Sequence, residues 1–340
     1  MAVFGKKGVL LVNLGTPDAP SRGAVYRYLK QFLLDRRVID YNWFARNLLV
    51  RGIIAPFRSG SSAKLYQQLW TAEGSPLKVY GEKLESGVQD LLGDEYEVAL
   101  AMRYQNPSIE SAINQLLEKK VAEIIVFPLF AQYASATTGS VHEEVMRILA
   151  KKENIPNIKL INSYYDNEAM LDVYVENASR FDIDSYDHIL FSFHGLPERQ
   201  LIKADNCNHC VKTENCCHTI SMKNQFCYSA QCHGTAFAIA DKMGLRKEDF
   251  TVCFQSRLGP EKWAQPYTSK IIEARAGKGD KRLLVFCPAF VSDCLETTIE
   301  ISVEYQEEFE ELGGEKVDLV PSLNDHPKWI AAVKDMIVSA

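Results

Sequence analysis

Eight short runs rich in Val, Ile, Leu and Phe punctuate the chain, each bounded by turn residues and followed by sequence of helical character. The first four are GVLLVNLG (8–15), YEVALAMRY (96–104), EIIVFPLF (123–130) and NIKLINSY (157–164). The second four are DHILFSFHG (187–195), FTVCFQS (250–256), RLLVFCPAF (282–290) and KVDLVPSL (316–323). Continuous apolar runs of this length, without polar alternation, describe parallel strands buried on both faces. Segments such as PSIESAINQLLEKK (107–120) and GTAFAIADKMGL (234–245) carry helical spacing between them. The alternation predicts βαβ units, and hence parallel sheets covered by helices.

The two sets of runs look like a repeat. Those starting at 123 and 157 return at 282 and 316, while those at 8 and 96 return at 187 and 250 with altered spacing. The fold expected is α/β, with two similar Rossmann-like lobes, each a four-stranded parallel sheet flanked by helices. The lobes are placed at 1–165 and 166–340. A ligand is expected at the strand carboxyl ends, in the cleft between such lobes.

Composition narrows the class. Hydrophobic residues make up 46% and charged residues 24% of 340, ordinary values for a chain with a core and unlike those of disordered or collagenous sequences. A formal charge of −6 excludes the whole molecule as a general polyanion binder, so no nucleic-acid partner is expected. The start, MAVFGKKGVLLVNLG, meets Thr16-Pro17-Asp18 where a secretory leader would end in small residues, and reads as a first strand. The uncharged stretch from Ile124 to His142 contains Pro128, Gln132 and Gly139, so it is not read as a membrane span. These features set the expectation of a cytoplasmic chain with reduced thiols. Nine cysteines are nevertheless present, and six of them (Cys207, Cys210, Cys216, Cys217, Cys227 and Cys232) crowd into 26 residues.

Polar and aromatic clusters follow the strands: Asn13 to Pro17, Arg103-Tyr104, Tyr133 with Thr137 to Ser140, Ser192 to Gly195, Gln255-Ser256-Arg257, and Ser292 to Glu296. No G-x-G-x-x-G follows the first strand, and neither a P-loop nor a G-x-S-x-G elbow occurs, so nucleotide and serine-hydrolase chemistry lack their motifs. His194, at a strand end before Gly195, is placed to serve as a general base or a metal ligand. Asp293, Glu296, Glu300 and Glu304 follow at helical spacing, which would align carboxylates able to pass protons outward or guide a hard divalent cation inward.

These stretches together resemble the ferrochelatase family, whose members insert ferrous iron into a porphyrin. The resemblance rests on LVNLGTP (11–17), FLLDRRVI (32–39), GSPLK (74–78), MRYQNPSIESA (102–112), FPLFAQYASATTGS (127–140), FSFHGLPER (191–199), FQSRLGPEKWAQPYT (254–268), CPAFVSDCLETTIEI (287–301) and PSLND (321–325). It implies that His194 is the catalytic histidine and Glu296 its acidic partner, the pair meeting the substrate Fe²⁺, with Asp293 and Glu300 as a relay on a helix that starts with a widened turn. Arg103, Tyr104 and Tyr133 would line the porphyrin pocket, with Trp263 near its lip. Leu14 stands where members acting on coproporphyrin carry Tyr, which implies protoporphyrin IX as substrate. Cys294 stands where some members carry His. Against this reading stand a porphyrin or haem carrier or redox sensor, and a coproporphyrin or cobalt chelatase.

Two segments remain. Arg22 to Lys64 holds nine basic and two acidic residues together with Phe32, Tyr41, Trp43, Phe44 and Phe57. In the family this stretch forms the pocket mouth, and a basic, aromatic lip suits peripheral contact with the inner face of an anionic membrane. Asn206 to Cys227 reads as an insertion that is polar and too poor in apolar residues to build a core. Its Cys-x₂-Cys start and further thiols are compatible with a [2Fe–2S] cluster or with a zinc site that uses His209 or His218. The resemblance favours the cluster, with Cys207, Cys210, Cys217 and Cys227 as ligands and Cys216 as the substitute. Cys253, Cys287 and Cys294 read as core thiols.

Overall fold

All eight apolar runs form strands in the computed structural model: β1 (Lys7–Gly15), β2 (Tyr96–Tyr104), β3 (Glu123–Pro128), β4 (Asn157–Leu160), β5 (His188–His194), β6 (Phe250–Gln255), β7 (Arg282–Phe286) and β8 (Lys316–Leu319). The structure describes residues 5–213 and 215–340; the first four residues, in the expected amino-terminal start, and Glu214, in the cysteine insert, lie outside the described residues. The strands build two four-stranded sheets, ordered β2-β1-β3-β4 and β6-β5-β7-β8, with every pairing parallel. Each half therefore lays its strands down in the same order, as the repeat in the sequence predicts.

The central strands are apolar along their length because helices cover both faces; every residue of β3 is buried. Of the four edge strands, β4 and β8 stop after four residues and are partly exposed, shorter than their apolar runs. The helix Ile109–Glu118 is representative of the cover. Ser108 caps it by accepting from the Ser111 amide at 3.1 Å, and Ile109, Ala112, Ile113 and Leu116 form the buried stripe. These pack against Leu10, Val12, Ala99 and Val126 of the first sheet. In the second sheet, Leu190, Cys253, Leu283 and Val285 pack with Ile272, Ile301 and Phe309.

By its contacts the chain divides into two units. The first comprises the segments ending at Phe130, Ala134–Ser163 and Asp325–Ala340; the second comprises Ala131–Tyr133 and Tyr164–Asn324. Chain order alone would assign the last helix, Pro327–Ser339, to the second lobe, but it packs on Pro76–Leu92 of the first unit. Residues 131–133 go the other way: the Gln132 side chain donates to Thr235 at 2.9 Å, and the Tyr133 amide donates to Gln231 at 2.7 Å. Among the described residues no helix is long and apolar enough to cross a membrane.

Candidate active site

The polar residues of the second unit gather where its strands end. His194 is the last residue of β5, half-buried, with Trp263 and Phe290 rings 6.4 and 6.3 Å from its own. Its Nδ1 lies 2.6 Å from the Gly195 carbonyl. A carbonyl only accepts, so Nδ1 carries a proton, and in the neutral ring Nε2 is the nitrogen with the lone pair. The backbone around this ring is held on two sides. The Tyr228 hydroxyl donates to the His194 carbonyl at 2.8 Å, and the Gly195 amide donates to the Gln255 carbonyl at 2.9 Å. Trp263 carries a buried indole N–H without a partner among the described residues, a donor available to an incoming acceptor.

Glu296 and Glu300 lie on Leu295–Tyr305, an eleven-residue π-helix. A widened turn was expected only at the start of this helix; the i→i+5 pattern runs its whole length. Asp293 falls outside it, and its carboxylate accepts from Asn324 Nδ2 at 2.6 Å and from Thr297 Oγ1 at 3.1 Å, so it fixes the helix entry to the loop at 322–324. The Glu300 carboxylate accepts from the Ser256 amide at 2.8 Å, the Ser256 hydroxyl at 2.6 Å, Gln255 Nε2 at 3.0 Å and the Tyr305 hydroxyl at 3.3 Å. Burial and then the neighbouring Glu296 carboxylate push the Cys294 thiol well above its ordinary range, and the thiol hydrogen-bonds that carboxylate. Burial followed by the Glu300 charge likewise raises the Glu304 carboxyl. An open pocket of about 190 Å³ lies beside this helix, lined by Gln255, Ser256, Arg257, Tyr267, Glu300 and Tyr305 among others.

In the first unit the strand ends carry a tight polar hub. Gly15 closes β1 with φ of 111°, and a Cβ there would lie 2.0 Å from the Tyr104 carbonyl, so only glycine lets β1 and β2 end side by side. Arg103 and Tyr104 both turn to Asp35: Arg103 donates at 2.8 Å, the Tyr104 hydroxyl at 2.9 Å and the Ser140 hydroxyl at 2.5 Å to the same carboxylate oxygen. Tyr104 is fully buried, so it supports Arg103, whereas Arg103, Leu14, Tyr133 and Trp263 of the expected set are half-buried. Sequence reasoning passed over Asp35, although an acid inside so basic a segment was the available signal.

A family model described as Ferrochelatase matches residues 6–340. This chain belongs to that family. A ferrochelatase from Coxiella burnetii (strain CbuK_Q154) is 46% identical over 97% of this chain and 93% of its own length, and one from Legionella pneumophila (strain Lens) is 43% identical over 98% of each. Among solved structures, SirB from Bacillus subtilis with Fe3+ superposes with a TM-score of 0.53 at 12% identity, covering 98% of this chain and 95% of that one, which bears on the fold alone. Family membership makes the chain a metal-inserting lyase.

The cysteine insert brings some of its thiols together. Cys216 and Cys217 sulfurs are 3.6 Å apart, and Cys217 donates to Cys227. That hydrogen bond, with the Ala230 and Ser229 amides at the start of the helix Tyr228–Lys242, outweighs burial and holds the Cys227 thiol below its ordinary range. Burial, then the charges of Cys227 and Cys216, push the Cys210 thiol up to about 12. Cys207 is exposed, its amide bound to Asp205 at 2.8 Å. Asp205 also gathers the His209 and Cys210 amides at 2.6 and 2.7 Å, which folds the Cys-x₂-Cys turn around one carboxylate. Thiols converging around a thiolate at a helix N-terminus have the donor chemistry of a metal–thiolate centre. Among the described residues, however, no group of three or more His, Cys, Asp or Glu is yet set to hold a metal ion. The two histidines are otherwise engaged: His209 Nε2 donates to the Cys216 carbonyl at 3.3 Å, and His218 packs on His233 and Phe237.

The basic lip is a folded subdomain of the first unit. Leu33, Val50 and Ala55 form its small core, with Phe32 packed inward on Tyr104 instead of outward as the sequence suggested. Its outer surface exposes Trp43 (61%), Phe44 (78%), Leu48 (73%) and Phe57 (79%). Arg36 and Arg37 join it to Glu143, and Asp35 joins it to Arg103.

Asp35 should therefore govern both stability and lip order. Burial would raise its carboxyl, but the Ser140 hydroxyl, the Arg37 amide, Arg103 and Tyr104 together hold it below the usual value. A depressed folded value means stabilisation present above the unfolded pKa of about 3.9 and lost as pH falls through the folded one. Asp35→Asn is expected to cost on the order of 3 kcal/mol at pH 7, because Arg103 loses its buried counter-charge. In denaturant melts the gap from wild type should close as the pH is taken below about 4.

Proposed function

We propose that this chain inserts ferrous iron into protoporphyrin IX to form protohaem. The observation that carries the reading is the geometry at His194: a half-buried imidazole whose Nδ1–H is tied to the Gly195 carbonyl, which makes Nε2 the basic nitrogen of the neutral ring at a strand end, in a chain matching its family from residue 6 to the last. Insertion exchanges two pyrrole N–H protons for two Fe–N bonds, so Fe²⁺ and a neutral porphyrin give neutral ferrous porphyrin and two protons. A base must meet those protons at the face of the macrocycle. His194 Nε2 takes the proton, and Glu296 is its acidic partner at the metal. Glu300, tied to Ser256 and Tyr305, leads toward the open pocket from which protons leave. Asp293 supports the relay indirectly, by fixing the entry of the π-helix.

Leu14, Arg103, Tyr133 and Trp263 are the proposed porphyrin contacts, with Tyr104 acting through Arg103. Trp263 supports this assignment with its unpartnered indole N–H, suited to a carboxylate or ring acceptor. Leu14 favours protoporphyrin over a substrate with more carboxylates.

The insert would hold a [2Fe–2S] cluster through four thiolates drawn from Cys207, Cys210, Cys217 and Cys227, with Cys216 as the substitute. When bound, such a cluster supplies metal–thiolate bonds to a segment with little core of its own. Engagement of His209 and His218 elsewhere favours all-thiolate ligation over a zinc site built on histidine. The lip would rest peripherally on an anionic membrane surface, its exposed aromatic side chains in the interface and its cations among the headgroups.

Three measurements test these readings. His194→Ala should lower anaerobic Fe²⁺ insertion into protoporphyrin IX by about 10²–10⁴-fold while porphyrin binding persists; insertion at the wild-type rate would remove the assignment. Purified protein should be coloured and contain equal amounts of iron and acid-labile sulfide, lost on Cys207→Ser, Cys210→Ser and Cys227→Ser, with Cys216→Ser and Cys217→Ser deciding the fourth ligand. A colourless protein with stoichiometric zinc would overturn the cluster. Joint replacement of Trp43, Phe44 and Phe57 by Ser should weaken binding to phosphatidylglycerol vesicles at least about tenfold.

A further inference from the structure

Gln255 is a polar residue in an apolar place. It ends β6, is 1% exposed, and follows Val252, Cys253 and Phe254, all buried. Its backbone lies opposite His194 in the β5–β6 ladder and accepts the Gly195 amide at 2.9 Å. Its side chain reaches the other way. Oε1 accepts from the Ser192 hydroxyl at 2.7 Å and the Cys287 thiol at 3.5 Å, while Nε2 donates to the Glu296 carbonyl at 2.8 Å and to Glu300 Oε2 at 3.0 Å. Both amide hydrogens and both lone pairs are thus engaged. The orientation is fixed as well, because a flipped amide would set its oxygen against a carbonyl and a carboxylate that only accept.

We propose that Gln255 is a positioning residue for iron insertion, a side chain that ties the strand bearing His194 to the π-helix bearing Glu296 and Glu300. The inference rests on the ferrochelatase reading of that site. Stability alone gives little reason for this residue, since a satisfied buried amide adds little over an apolar side chain of the same shape. Geometry gives a strong reason. The Glu296 carbonyl marks the first turn of the helix and the Glu300 carboxylate lies four residues on, so two bonds from one amide set both the height and the rotation of that helix relative to β6. Ser256 continues the clamp through its amide and hydroxyl, held at a φ of 64°. A base and an acid that must meet the same macrocycle lose rate steeply when displaced by about an ångström.

The test uses Q255E and Q255L in the full-length protein, with C253A as control. Q255E keeps the volume and the bonds from Ser192 and Cys287 but can no longer donate as a carboxylate. Q255L removes all four bonds. C253A opens a cavity on the same face of the same strand, in the core cluster that includes Ile301 of the helix, and leaves all four Gln255 bonds in place. Both Gln255 variants are expected to lose about 10–100-fold in kcat for Fe²⁺ insertion, the range typical of residues that orient a metal-site ligand. The KM for porphyrin and its affinity by fluorescence quenching should stay within about twofold, and C253A should lower Tm with kcat unchanged. A higher KM at unchanged kcat, wild-type kinetics in Q255E, or a Q255E protein that does not fold would each overturn the proposal, the last because the residue would then serve the core. Absence of iron insertion by the wild-type protein would instead defeat the ferrochelatase reading.

Discussion

A parallel strand buried on both faces leaves a polar side chain nowhere to go except its end. That constraint governs the rest of this molecule. The central strands β1, β3, β5 and β7 are apolar along nearly all of their length. Chemistry is therefore displaced to the residues where pairing stops, and His194, Gln255, Arg103 and Asn13 all stand there. The same constraint makes each end expensive in hydrogen bonds, because its carbonyls and amides leave the ladder in a region still poor in water. The partners recruited to satisfy them, Tyr228 on the His194 carbonyl and Gln255 on the Gly195 amide, are also what hold the imidazole still.

The π-helix solves a related problem. Glu300 is a carboxylate beside buried strands, and four donors converge on it from β6, the turn after it and the helix itself. These four donors are all neutral groups, and they fix where the carboxylate oxygens lie beside β6. An Arg in the same place would have neutralised the carboxylate. The first unit shows that contrast directly: there Asp35 has Arg103 against it and acts as a structural hub.

Much of the fold was legible because apolar run length is a direct signature of two-sided burial; the eight runs and their repeated order needed no tertiary information. Strand ends were less legible. Runs such as 316–323 continue past β8 into a buried loop, where Val320 and Leu323 belong to the core without belonging to the ladder. His194 could be singled out from its place before Gly195, but its tautomer depends on where one carbonyl points. The π-helix was hidden because i→i+5 bonding leaves the spacing of Glu296, Glu300 and Glu304 compatible with an α-helix. The roles of Asp35 and Gln255 were hidden for a common reason: each acts through partners distant in sequence, Ser140 and Arg103 for one, Ser192 and Glu296 for the other.

The lip shows how a charge count can mislead until partners are known. Its nine cations do not all face outward. Arg36 and Arg37 are drawn to Glu143, and Arg46 donates to the carbonyls of Ile39 and Tyr41, so three of them hold the subdomain together. What remains at the outer surface is dominated by Trp43, Phe44, Leu48, Ile53 and Phe57, with Arg51 between them in sequence and Arg58 directly after. Each large apolar side chain buried in an interface contributes about 1.5–3 kcal/mol, against about 1 kcal/mol for a cation near an anionic surface. On those magnitudes the aromatic and aliphatic face would supply most of the attraction in the proposed membrane contact, and the cations would orient it. Salt should then weaken the contact without abolishing it, unlike a lip that worked by its formal charge.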